Sequence, residues 1–416
     1  MLRWLFLDMN SYFASVEQHL QPHLRNRPIA VAAVDTDHTS CIAASYQAKA
    51  FGIHTGTPVG MARHLCPGLI VVLARPHLYV EMHHKILAIV ENHLHVDNIL
   101  SIDEVACRLP SNESSEDRVR LIALAIKDSL LKNIGPAIRC SIGIAPNRFL
   151  AKVASDLQKP DGLTVLHPHE LPQKILHLEP RDLPGVGKAM QLRLAIHGGD
   201  TMQNLWNLTA EQLALAFGGR IGLHFHRNLH GENVVEAPTK RHTIGHSSVL
   251  SPRRRTDAGA FAILIRLVHK VGARLRSMNY AAAGMVLHIH YEDHNSWKTH
   301  VRLPDVQDTQ TLIEAMDHMW QLRPRNPAPQ SPHHGSRPEK SSLPKKVGIV
   351  LFGLELTQNL TLPLFTCDTR RLDLARAMDD INGRYGRQRV YFAEMHETKD
   401  SAPLRIAFNS VPEENW

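Results

Sequence analysis

The chain has 416 residues, with 47 lysines and arginines against 40 aspartates and glutamates, a formal net charge of +7, and 43% apolar residues. That length serves about two to four domains with real cores, and the apolar share argues against wholesale disorder. The only apolar start, Trp4 to Leu7, is broken by Asp8, too short for a signal-peptide core or a membrane span, so a cytoplasmic protein without a membrane partner is expected.

Residues 2–8 (LRWLFLD) read as a short apolar strand ending in a carboxylate, followed by a helix from Ser11 to Leu20. IAVAAV (29–34), CIAASY (41–46) and LIVVL (69–73) are strand-like runs between Gly- and Pro-marked turns and short helices. A long helix is predicted from about His77 to His95, and NILSIDEVACRLP (98–110) gives two short strands, the second opening on two adjacent carboxylates. A helix at 115–133, a strand RCSIGIA (139–145) and a helix NRFLAKVASDLQ (147–158) follow, the last closed by Lys159-Pro160-Asp161-Gly162. From 171 to 237 helices dominate, broken by LPGVGK (183–188) and HGG (197–199).

Beyond PTKRH (238–242) a hairpin is predicted over 284–303, with further strands at 345–356 and 389–395 and helices at about 257–278 and 370–383. Residues 323–344, rich in Pro, Ser and His, read as a disordered insertion. Helices interleaved with strands make the chain an α+β multidomain protein. Cys41, Cys66, Cys107, Cys140 and Cys367 lie far apart without a CxxC pair and are expected to be reduced core residues. Among the 28 histidines, pairs such as His83/His84 and His333/His334 lack the i, i+4 helical spacing of a two-ligand metal site and read as solvated or hydrogen-bonded groups, while the basic balance suggests an acidic polymer as partner.

Asp8, Asp103 and Glu104 stand at strand edges in apolar surroundings. Burying them together is costly unless a cation compensates, and a pair of Mg²⁺ ions suits such hard oxygen donors. On spacing alone the plainer reading, a helix cap and two turn residues, also stands.

The surrounding words carry more. LDMNSYFASVEQ (7–18), SYQAKAFGIHTGTPVGMARHLCP (45–67), SIDEV (101–105) and SIGIAPNRFLAKVASDLQKPDGLTVL (141–166) resemble, in order and separation, the Y-family translesion DNA polymerases of the DinB/UmuC group. The resemblance covers about the first 240 residues and implies a right-hand polymerase fold. Its palm takes 1–10 and 76–170, its fingers 11–75, its helical thumb 171–237, and an α+β little finger 240–416.

The resemblance implies that Asp8, Asp103 and Glu104, with the main-chain carbonyl of Met9, hold two Mg²⁺ ions and are catalytic. It places Phe13, beside Tyr12, at the gate that excludes a ribose 2′-hydroxyl, and Tyr46, Lys49 and Lys159 at the triphosphate of an incoming dNTP. Two positions depart from the pattern: Asn10 replaces an acid found in many relatives, and Lys49 replaces an arginine, losing the bidentate fork.

LPGVGKAMQLRLAIHGGDTM (183–202) resembles a helix-hairpin-helix in which Gly185 and Gly187 admit a DNA phosphate and Lys188 adds charge. Arg253, Arg254 and Arg255 are further candidates for phosphate contacts on primer-template DNA, a solvated basic face being the alternative. The C-terminal part is more similar to UmuC-type members, and the sequence leaves open whether a UmuD-like subunit is a partner. Within it TLPLF (361–365) resembles the sliding-clamp peptide, with Leu362, Leu364 and Phe365 as anchors and a buried strand or loop as the alternative. The function implied is error-prone, template-directed DNA polymerisation in damage tolerance. The runner-up is an accessory adaptor that binds DNA and clamp without catalysis, and the intact acids count against it.

Overall fold

The computed structural model describes residues 1–234, 240–324, 342–360, 369–386 and 388–399, which fall into two compact units, one before and one after residues 235–239. The first unit begins with β1 (Trp4–Met9), all six residues buried. Alternate side chains of a strand face opposite ways. Leu5, Leu7 and Met9 join one core and Trp4 and Phe6 another, which puts Asp8 on the Phe6 side.

Around β1 the chain runs through α1 (Tyr12–Leu20), β2 (Ile29–Ala32), β3 (Cys41–Ala44), α2 (Tyr46–Lys49), α3 (Val59–Leu65), β4 (Ile70–Leu73) and α4 (Pro76–Glu91). Then come β5 (Asn98–Ile99), β6 (Glu104–Arg108), α5 (Glu116–Asn133), β7 (Cys140–Ala145), α6 (Arg148–Leu157) and β8 (Leu163–Val165). The main sheet has the order β5-β6-β1-β7-β8, with β1 antiparallel to both neighbours, and β2, β3 and β4 form a small separate sheet. Helices α4 and α5 pack with the Leu5 side of the main sheet and α6 with the Phe6 side.

The approach of α6 to the sheet is close because of Gly143. A Cβ there would lie 2.0 Å from the carbonyl oxygen of Ala151. Asn147 caps α6 by accepting from the Leu150 N–H, and its amide donates to the carbonyls of Asn228 (2.7 Å) and Glu232 (2.8 Å). That ties α6 to the helices that end the unit: α7 (Lys188–Ile196), α8 (Met202–Asn207), α9 (Ala210–Phe217) and α10 (Arg220–Leu229).

The second unit holds β9 (Thr243–Val249), α11 (Asp257–Ser277), β10 (Tyr280–Tyr291), β11 (Ser296–Val306), α12 (Thr309–Gln321), β12 (Pro344–Leu356) and α13 (Arg370–Tyr385). Its antiparallel sheet, β11-β10-β12-β9, lays Met285, Leu287, Ile289, Val347, Ile349 and Leu351 against α11 and α12.

The strand predicted at 389–395 is absent. The N–H groups of Arg389 and Val390 donate to the Asn382 side-chain oxygen, whose amide in turn donates to the Val390 carbonyl, so these groups are not offered to a ladder. Residues Ala393–Thr398 form a 3₁₀ run instead, and β9 supplies the fourth strand. The predicted insertion lies outside the described residues except at its ends, of which Pro344 opens β12. Cys41, Cys66, Cys107 and Cys140 are free and buried, as expected, while Cys367 lies outside the described residues.

Candidate active site

The ends of β1 and β6 bring the three acids together. Asp8 pairs directly opposite Glu104, and the Met9 N–H donates to the Asp103 carbonyl at 2.9 Å. Helix α6 lays Lys152 across them. Its ammonium contacts Asp8, lies 2.7 Å from Glu104 Oε1 and 3.3 Å from Asp156 Oδ2, and sits 5.4 Å from the Phe6 ring centroid. Lys159 adds a second ammonium, 2.8 Å from Asp8 Oδ2 and 2.7 Å from Asp156 Oδ1.

Burial alone pushes the Asp8 carboxyl up, but the charges and hydrogen bonds of Lys152 and Lys159 bring it below the usual range. Asp103 is driven upward by burial and by the Asp8 charge, against a 2.6 Å hydrogen bond from Ser101. Glu104 is also driven up, by burial first, with Lys152 opposing. Burial disfavours the Lys152 ammonium, yet Asp8, Asp156 and Glu104 together hold its pKa above normal. In their ionised forms these four carboxylates outnumber the nearby ammonium groups, those of Lys152 and Lys159 in contact and that of Lys49 within reach of the Asp8 charge. Among the described residues no set of three or more His, Cys, Asp or Glu is arranged to hold a metal ion; Lys152 and Lys159 contact the oxygens of Asp8 and Glu104.

The turn after α6 is fixed from below. Asn10 is buried, its oxygen accepting from the Asp161 N–H at 2.7 Å and its amide donating to Ser141 Oγ at 3.0 Å. Lys127 donates to the carbonyls of Cys140, Asp161 and Gly162 at 3.1, 2.6 and 3.1 Å. Asn10 therefore faces the Lys159 turn, and its amide donates where an acid has no proton to give.

Tyr46 and Lys49 stand on α2, the Lys49 ammonium 4.5 Å from the Tyr46 ring centroid. Burial, then Asp8 and Asp156, push the Tyr46 hydroxyl up to about 12, and burial followed by the Lys159 charge lowers Lys49. The structure thus brings Tyr46, Lys49 and Lys159 to the acid cluster. Phe13 lies on α1, its ring stacked at 4.7 Å on Tyr79, and Tyr12 tilts against it at 5.6 Å.

In the helical part, Gly185 has φ +85 and Gly187 caps α7, and a Cβ at either would meet nothing within 4 Å. Lys188 is exposed at the first position of that helix, so the hairpin offers open N–H groups. In the second unit the arginine run is less open than the sequence suggested. Arg254 donates to the Glu397 carbonyl at 2.8 Å and Arg255 pairs with Glu292 at 2.6 Å, while Arg253 is exposed. Leu362, Leu364 and Phe365 lie outside the described residues.

The chain matches the impB/mucB/samB family over residues 7–156, a thumb domain described for DNA polymerase-iota over 181–233, and the impB/mucB/samB C-terminal domain over 241–364. A DNA polymerase IV of Moorella thermoacetica is 32% identical over 398 residues, covering 94% of this chain and 95% of the relative. One from Shewanella sp. (strain MR-4) is 31% identical, covering 66% of this chain and 76% of its own. The chain belongs to the Y-family of DNA polymerases. Among solved structures, a Y-family chimera of Dbh and Dpo4 superposes with a TM-score of 0.69 at 19% identity, over 86% of this chain and all of that one. DinB from Sulfolobus solfataricus gives 0.52 at 20%, over 85% and 98%. These fix the fold as the palm, fingers, thumb and little-finger architecture of the family.

The family activity is error-prone, template-directed DNA synthesis. The relatives are of the DNA polymerase IV type, and the first aligns into the C-terminal unit, so the match there does not favour UmuC-type members.

The sequence reading did not single out Lys152, Asp156, Glu17, Arg75 or Tyr79. For the first two a signal was present, a Lys and an Asp four apart on one helix face. Nor did it find the outer face of the second sheet, where Lys298, His300 and Arg302 are exposed opposite His288, Val286 and Gly284, beside Lys346 across from His290. Among the described residues, no helix is long and apolar enough to cross a membrane.

Proposed function

We propose that Asp8, Asp103 and Glu104, with the Met9 carbonyl, form the nucleotidyl-transfer site of a translesion DNA polymerase and hold two Mg²⁺ ions. The observation that carries this reading is the buried cluster in which carboxylates outnumber ammonium groups, with Asp103 and Glu104 driven toward protonation. A further cation relieves that imbalance. Hard carboxylate oxygens are the donors magnesium prefers, so the residues fit the ion. When bound, such ions activate an attacking hydroxyl and stabilise a departing phosphate oxygen.

The remaining work falls to the chain. Lys159, Lys49 and Tyr46 orient the dNTP triphosphate beside the acids, so that the primer 3′-hydroxyl meets the α-phosphate and pyrophosphate leaves. Phe13 lies under the sugar and rejects a 2′-hydroxyl. The Gly185–Lys188 hairpin and Arg253 hold the DNA backbone without reading sequence, and the basic outer face of the second sheet adds charge for the same purpose. Arg254 and Arg255 contribute through field more than through direct contact, since their guanidiniums have partners within the unit.

The proposed boundaries are palm 1–10 and 76–170, fingers 11–75, thumb 171–237 and little finger from 240. A sliding clamp is the proposed partner of TLPLF, and the setting is the cytoplasm, where the template is. A UmuD-like subunit goes with a UmuC-type C-terminal part and rests on that looser similarity alone.

Primer extension on undamaged and lesion-bearing templates tests the reading. Wild-type protein extends both with Mg²⁺. Asp103→Ala abolishes incorporation and leaves primer-template affinity within about threefold, because the acids hold metal and other surfaces hold DNA. Wild-type extension by Asp103→Ala sinks the site assignment.

A further inference from the structure

Phe13 and Glu17 are one turn apart on α1, and Arg75 and Tyr79 are one turn apart where α4 begins. On a helix such pairs lie on one face. Here the two pairs interlock. The Phe13 and Tyr79 rings stack at 4.7 Å with planes 20° apart, and Glu17 meets Arg75, whose Nε lies 3.1 Å from Oε1 and whose Nη2 contacts Oε2. A diagonal closes the square, since the Tyr79 hydroxyl donates to Glu17 Oε1 at 2.7 Å. Gln21 donates to Glu17 Oε2 at 2.9 Å, and the Tyr12 hydroxyl donates to the Tyr79 carbonyl at 2.6 Å. Tyr79 is therefore held at both its ring end and its backbone.

Glu17 is wholly buried, and so is Tyr79. A fully buried charge is a poor way to glue two helices, because apolar side chains of similar volume do so at less desolvation cost. What the ion pair and hydroxyl bond add is a single fixed geometry. A gate needs that property. The ribose and deoxyribose differ by one oxygen, and a ring free to retreat by about an ångström would admit both.

We infer that Glu17, Arg75 and Tyr79 are positioning residues for sugar selection, locking the Phe13 ring against displacement by a 2′-hydroxyl. The inference rests on the reading of Phe13 as the sugar gate. None of the three touches the acid cluster in the contacts described, so they act on which nucleotide enters through the ring they support.

The experiment compares single-turnover incorporation of a dNTP and the matching rNTP on one primer-template, using the full chain and its Tyr79→Phe, Glu17→Gln and Phe13→Ala variants. The ratio of the two rates is independent of how much protein is folded, so a merely structural defect does not move it. Tyr79→Phe keeps the stack and deletes the hydroxyl bond, and Glu17→Gln removes the charge that grips Arg75. Both should keep dNTP incorporation within about threefold while lowering the dNTP/rNTP ratio about fivefold or more, less than Phe13→Ala does. If Glu17→Gln does not fold, Tyr79→Phe decides alone. An unchanged ratio in these variants, with a lowered ratio in Phe13→Ala, overturns the inference and spares the gate. An unchanged ratio in Phe13→Ala removes the gate itself, and the inference with it.

Discussion

Asp8 and Glu104 face each other across the antiparallel pairing of β1 and β6, and one ammonium, that of Lys152, bridges them. The bridge is mostly buried, with 19% of the lysine side chain and 8% of the Asp8 side chain exposed. Such a lysine is both counter-ion and spacer for the acids.

Lys152→Met should therefore destabilise the protein. Removing one partner of a buried ion pair costs about 3–5 kcal/mol, because the other charges stay behind unneutralised. With EDTA the variant's thermal midpoint should drop well below wild type. With Mg²⁺ the gap should narrow, since acids relieved of Lys152 bind the ion more tightly than those of wild type, and at saturating ion each tenfold difference in Kd returns about 1.4 kcal/mol. A gap of equal size in both buffers would mean that Lys152 does not compete with a cation for the acids.

Acid should weaken the second unit. Burial, and then Lys270, Arg274 and Arg266, push His246 down to about 4, and burial with Arg266 and Arg276 does the same to His269. An unfolded histidine titrates near 6.5, so both groups bind protons more readily unfolded than folded. Their neutral forms support the fold fully above pH ~6.5, and that support is lost as pH falls toward 4, on the order of 3 kcal/mol for each at the limit. Thermal unfolding of the full chain from pH 7 to 4 should show the decline, and His269→Gln should flatten it. An unaltered slope in that variant would assign the acid sensitivity elsewhere.

DNA affinity should rise as the solution is acidified from pH 7.5 to 6. The His288 ring overlies Gly348, and burial, His290, Lys346 and Lys298 depress its pKa. A phosphate placed on that face raises it again, so binding takes up a proton and is favoured at lower pH. His288→Gln should reduce the pH dependence of Kd measured at fixed salt. Equal dependence in wild type and variant would take DNA off that face.

The tail is tested by replacing Leu364 and Phe365 with alanine. If TLPLF anchors a clamp, each loss is worth on the order of 1–2 kcal/mol, together roughly a ten- to thousandfold fall in clamp affinity. Unstimulated synthesis should persist while clamp stimulation disappears. A variant that is less stable, and slower with or without clamp, would place these side chains in a core instead.

Much of this was legible in the sequence. The run from Trp4 to Asp8 announced a buried strand with an anomalous acidic end, and the motif words put Phe13, Tyr46, Lys49 and Lys159 near it. The contacts of Lys152 were harder to read, because they depend on how closely α6 docks over Gly143. Glu17 looked like an ordinary helix glutamate, since its partners Arg75 and Tyr79 lie 58 and 62 residues away. The apolar alternation of RVYFAEM is real, but a single side chain, Asn382, takes the backbone groups that pairing would need.

The glycine at 143 ties the charge balance of the acids to the packing of one helix. Two of the ammonium groups that quiet the acids come from α6 and the turn it ends in, and that helix reaches them only because its backbone rests where a Cβ would be. A Cβ at residue 143 would lift α6 from the sheet and withdraw both ammonium groups at once, leaving Asp8 and Glu104 facing each other across the strand pair without their counter-ions.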